Sequence, residues 1–125
     1  SNGTLIMRDE IMWWMSRLTI MLTSLFLSFS LAAQAYATEI QMGSNGNLVF
    51  EPNEVTIDAG ETVTFVNNAL PPHNIIFNKF ASLSRESLMF TPGETQEIKF
   101  ATAGDYDFKC APHEGAGMKG VIHVK

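Results

Sequence analysis

Cysteine is almost missing from this sequence of 125 residues. Cys110 is its single thiol, so no disulfide forms within the chain and a disulfide-stapled scaffold is excluded. Basic residues are scarce as well: eight Lys and Arg face thirteen Asp and Glu, for a formal net charge of −5. They form no run or stripe, which excludes a nucleic-acid binder relying on phosphate contacts. The apolar run Leu18 to Leu31 holds 14 uncharged residues, short of the roughly 20 needed to span a bilayer. At this length there is no room for a large multidomain enzyme or a repeat array. With 46% hydrophobic and 17% charged residues, what remains is a globular chain.

The first 37 residues differ from the rest. Arg8 and Arg17 lie too far apart for a twin-arginine signal, and the apolar run that follows suits the core of a secretory signal rather than an uncleaved anchor. Ala35-Tyr36-Ala37 offers small residues for cleavage after Ala37, with Ala33-Gln34-Ala35 as a competing site. The expected organisation is a signal region over 1–37 and one domain over 38–125, exported and soluble after cleavage. The domain has 88 residues, six basic and eleven acidic, and keeps the net charge of −5. In an oxidising compartment a lone thiol is a liability unless something occupies it.

Apolar residues alternate along 54–58, 61–67, 96–100 and 105–110, the period of half-buried strands. Turn signals at 43–47, 59–60, 92–93 and 103–104 separate them. With further runs at 39–42, 48–51, 73–78, 87–90 and 121–124, the spacing predicts an all-β antiparallel sandwich of about eight strands. Only 78–85 leaves space for a helical turn. Parity places His73 on one face with Ile75 and Phe77, and Cys110 with Tyr106 and Phe108, so both should point inward at strand ends. The glycine-rich segment 111–120 follows as a loop.

Cys110-x-x-His113-x-x-x-x-Met118, with His73 upstream, is the constellation that carries chemistry. A thiolate, two imidazoles and a thioether favour copper, and His₂Cys with a weak axial Met is the ligand set of a blue-copper electron-transfer site. Zinc also accepts Cys and His, but methionine is a poor zinc ligand. The set leaves no position for a substrate, which argues against an enzyme. His123 alternates with Ile122 and Val124 and is expected to face solvent, while Met42 and Met89 read as packing residues.

The stretches 47–77, 88–95 and 110–124, with PPHN at Pro71 to Asn74 and CxPHxGAGMxG at Cys110 to Gly120, resemble the plastocyanins, most of all their cyanobacterial type, within the cupredoxins. The resemblance covers nearly all of 38–125. It implies a Greek-key sandwich holding one type 1 copper, Cu(I)/Cu(II), on His73, Cys110, His113 and Met118, with Asn74 hydrogen-bonding between the two ligand loops. It implies a monomeric one-electron carrier between cytochrome f and photosystem I in the thylakoid lumen, or an equivalent role in a periplasm. Partners would dock on an apolar face at Leu48, Leu70, Pro71, Pro72, Gly115 and Ala116. Three features depart from the family: a shortened stretch over 78–88, Lys109 where a tyrosine is usual, and Glu114 where cyanobacterial members carry arginine. The last two place Lys109 and Glu114 at the docking region and bear on partner choice. A pseudoazurin-like periplasmic donor is the runner-up, followed by a copper-storage module and an interaction domain with a vestigial site.

Overall fold

The computed structural model describes residues 11–15, 17 and 37–125. By its internal contacts the chain divides into Ser1–Ala35 and Tyr36–Lys125. Residues 11–15 and 17 are helical and exposed, with Trp13 and Trp14 packed edge to face. No helix among the described residues is long and apolar enough to cross a membrane. The expected signal core and the competing cleavage site at 33–35 lie outside the described residues.

Nine strands fill the second unit: β1 (Thr38–Met42), β2 (Phe50–Glu51), β3 (Glu54–Ile57), β4 (Thr62–Asn67), β5 (His73–Phe77), β6 (Arg85–Met89), β7 (Thr95–Lys99), β8 (Gly104–Lys109) and β9 (Lys119–Val124). They form two sheets, β2-β1-β4-β7 and β3-β9-β8-β5-β6. The sandwich is the one the alternation predicts, with two ladders, β1 with β4 and β3 with β9, running parallel. A short 3₁₀ turn at Ala81–Leu83 occupies the stretch left free for one, and a second at Ala111–Ala116 gives the glycine-rich segment regular structure.

Phe108 on β8 organises the core. Its ring packs against Phe50, Phe65 and Phe77 at centroid distances of 4.7, 5.4 and 5.8 Å, so residues from both sheets meet on one side chain. Each such aromatic pair contributes about 0.5–1.5 kcal/mol beyond area burial. Phe108 lies two residues before Cys110 on the same face, so this cluster also fixes the end of β8. The Tyr106 hydroxyl donates to the Thr102 carbonyl at 2.6 Å and ties the start of β8 to the preceding loop.

On the outer face, His123 of β9 stands between β3 and β8. Its Nδ1 lies 2.6 Å from Asp105 Oδ1 and its Nε2 2.7 Å from Glu54 Oε1. A neutral imidazole has one N–H to give, whereas two carboxylates at this distance take two, so the arrangement favours the imidazolium form. The hydrogen bonds the ring donates to Asp105 and then Glu54 hold its pKa above the ordinary 6.5. Asp107 and Lys109 on β8 and Lys119 on β9 are further charged residues that alternation places on this face.

Because the folded pKa is raised, this strap contributes fully below pH 6.5 and is lost as pH rises through the folded value. We expect the melting temperature of the wild type to exceed that of His123→Gln most below pH 6.5, and the gap to close on the alkaline side. A gap that does not change with pH would show that the ring is not charged in the strap.

Candidate metal centre

Two neighbouring strands set the centre. β5 and β8 pair antiparallel through Ile76↔Lys109 and Phe77↔Phe108, so the first residue of β5 and the residue after β8 reach the same end of the sheet. Alternation does the rest: His73, Ile75 and Phe77 all face inward, as do Tyr106, Phe108 and Cys110. Both expected inward positions are found, with His73 and Cys110 at 0% exposure.

The chain then folds back on itself. Cys110 is extended, Pro112 enters the 3₁₀ turn, and Gly117, at φ 84, closes it in the left-handed region that glycine adopts without cost. The His113 N–H donates to the Cys110 carbonyl at 3.1 Å, and the Met118 N–H donates to the His113 carbonyl at 3.2 Å. The Cys110 N–H in turn donates to the Met118 carbonyl at 3.0 Å. Three backbone bonds thus hold Cys110, His113 and Met118 in one closed turn. Met118 is fully buried, and His113 is partly exposed.

The side chains converge. Cys110 Sγ lies 3.7 Å from His73 Nδ1 and 3.4 Å from His113 Nδ1, and the two Nδ1 atoms are 3.2 Å apart. One ligand atom from each of the three residues lies within 4.8 Å of the others. Burial lowers the pKa of His73, the nearby His113 lowers it further, and the Ala69 carbonyl raises it. Burial pushes the Cys110 thiol up, against backbone hydrogen bonds from Asn74 and His113. Both shifts favour neutral side chains, a neutral imidazole and a protonated thiol. A soft cation reverses that preference at the sulfur, since a coordinating thiol is deprotonated outright. Two imidazoles and a thiol with Met118 in the same turn form a donor set that fits copper.

Asn74, 7% exposed, braces the centre. Its Oδ1 accepts the Ala111 N–H at 2.8 Å, and its Nδ2 donates to the Glu86 carbonyl at 3.1 Å. One side chain therefore joins β5, β6 and the ligand turn. Of the residues expected at a docking face, Leu70 is 57% exposed, Pro71, Gly115 and Ala116 are exposed, and Leu48 and Pro72 are half-buried. Lys109 and Glu114 form an ion pair at 2.9 Å, which reading each as a separate surface change did not reveal. Sequence reasoning also took Gly43 for an ordinary turn residue, although it lies against the His73 ring.

Residues 36–125 match the family model of copper-binding proteins of the plastocyanin/azurin family. The chain is 50% identical over 95 residues to a plastocyanin of Scenedesmus fuscus, covering 69% of this chain and 97% of that one. It is 46% identical over 106 residues to a chloroplastic plastocyanin of Tetradesmus obliquus, covering 78% and 73% respectively. Among solved structures, a mutant fern plastocyanin superposes with a TM-score of 0.65 at 32% identity, covering 70% of this chain and all of that one. The cofactor for which this donor set is built is one type 1 copper.

Truncating the brace leaves the Ala111 N–H and the Glu86 carbonyl without their partner. Asn74→Ala is expected to lower the unfolding free energy of the metal-free protein by about 1–3 kcal/mol, measured by chemical denaturation.

Proposed function

The chain belongs to the plastocyanin/azurin family of copper-binding proteins, and from that premise we propose that it is a one-electron carrier, not an enzyme. His73, Cys110, His113 and Met118 hold the metal in this reading. Its single most important support is the meeting of three donors from β5 and the ligand turn within 4.8 Å. Bound copper would supply a one-electron Cu(I)/Cu(II) couple. The protein's own part is to keep the donors still: His73 and Cys110 are fixed by strand parity, and His113 and Met118 by the closed turn. Little rearrangement between two charge states means a low barrier to electron transfer.

Of the four donors, His113 alone keeps exposure to solvent. Leu70, Pro71, Gly115 and Ala116, exposed on the segments that carry the two histidines, offer a partner a largely uncharged contact. We assign that contact to cytochrome f as donor and photosystem I as acceptor, with the thylakoid lumen as the compartment. Relatives named as chloroplastic plastocyanins support this assignment. Residues 1–37 serve as the export signal, and the carrier works as a soluble monomer.

Lys109 and Glu114 lie one residue from Cys110 and His113 respectively. Their side chains are 28% and 56% exposed, so the pair adds little stability and acts mainly by cancelling charge. This makes the surface beside the exposed histidine locally neutral.

Two measurements test the reading. Adding copper and an oxidant should give an intensely blue protein through thiolate-to-copper charge transfer, and Cys110→Ser should abolish the colour; a colourless wild-type complex would end the carrier assignment. Lys109→Tyr leaves an unpaired negative charge and Glu114→Arg leaves two positive ones. The salt dependence of electron-transfer rate with a charged partner should therefore shift in opposite directions in the two variants. Profiles superimposable on the wild type would remove this pair from the docking region.

A further inference from the structure

We propose that Gly43 is a positioning residue for the copper centre: its bare Cα forms the wall against which the His73 imidazole is set. The inference rests on the copper reading and adds a residue to it. His73 turns Nδ1 toward Cys110 and His113, and its opposite nitrogen, Nε2, toward Gly43. A methyl carbon at Gly43 would lie 2.6 Å from Nε2, 3.3 Å from Cδ2 and 3.1 Å from the Ala69 carbonyl. Relaxed contacts between such atoms begin near about 3.5 Å, so the ring has to move by roughly 1 Å to admit it.

The ring has nowhere to go except toward the other donors. It is completely buried, and the Ala69 carbonyl, the acceptor that raises its pKa, sits outside the geometry of a full hydrogen bond that would hold Nε2. Metal-binding histidines ordinarily donate that second N–H to an acceptor which fixes their orientation. Here close packing against Gly43, with the Ala69 carbonyl alongside, takes over that role.

The wall is equally fixed. The Gly43 N–H donates to the Val49 carbonyl at 3.0 Å, and its own carbonyl accepts the Gly46 N–H at 2.9 Å. The preceding Met42 carbonyl accepts the Asn68 N–H at 2.9 Å. The imidazole is a rigid plane, so a push at Nε2 reaches Nδ1 undiminished.

Gly43 has φ 78, which strains any other residue by itself. The same loop holds its own control. Gly46 has φ 73 and nothing within 4 Å of the place a methyl would take. Gly46→Ala therefore suffers the backbone strain alone, and Gly43→Ala suffers that strain and the collision with the ring.

In the copper-loaded protein, Gly43→Ala should shift the thiolate-to-copper absorption maximum and the reduction potential, and should weaken copper binding about 10- to 100-fold. Gly46→Ala should match the wild type in all three. Identical spectra, potentials and affinities in the two variants would overturn the proposal. A cycle on the metal-free protein judges it without any copper signal, and so separately from the carrier assignment. The loss of melting temperature caused by Gly43→Ala should shrink in a His73→Ala background, where the ring is gone. If Gly43→Ala alone does not fold, the double variant Gly43→Ala/His73→Ala should. An equal loss in both backgrounds, or a double variant as unfolded as Gly43→Ala, would show that Gly43 does not act through His73.

Discussion

The antiparallel pairing of β5 with β8 is the constraint on which the centre depends. It brings the beginning of one strand to the end of another, and the inward parity of both delivers an imidazole and a thiol to one buried point. Backbone hydrogen bonds and the aromatic packing of Phe108 hold that arrangement, and none of these contacts involves a metal. The donors are consequently organised by the sandwich before any ion arrives. Such a scaffold resists rearrangement, the property that a one-electron centre needs.

Much of this was legible in the chain itself. The period of two in 73–77 and 105–110 fixed which way His73 and Cys110 point, because strand parity is local and admits one alternative only. The sandwich followed from the number and spacing of such runs. Non-local features were not legible. Nothing along β1 or β4 states that they pair in parallel, since both read as ordinary alternating strands. Lys109 and Glu114 looked like two separate changes, and only the tightness of the intervening turn makes them partners. His123 was expected to face solvent and keeps 36% of its side-chain surface, yet its carboxylate partners come from strands 18 and 69 residues away in sequence. A glycine's role as a wall depends on what stands opposite it, and so Gly43 passed for a turn.

The two faces of the second sheet divide the labour. Inside, apolar side chains and neutral donors are packed without solvent. Outside, His123 gathers Glu54 and Asp105 across β3, β9 and β8. β8 leads into the ligand turn and β9 leads out of it, so the strap joins the strands on either side of Met118 and Cys110 at their far end. Shape at the centre and charge at the periphery are handled by different residues of the same strands.

Partial exposure of one imidazole has a consequence for how the protein acquires its metal. With the residue 73 ring, the sulfur and the thioether sealed inside, the edge of residue 113 is the doorway by which an ion can come and go. In the carrier proposed above, electrons would use that same doorway. A redox partner seated there would therefore also act as a stopper, retaining the ion for as long as the encounter lasts, and a free carrier would be the state from which loading and loss take place.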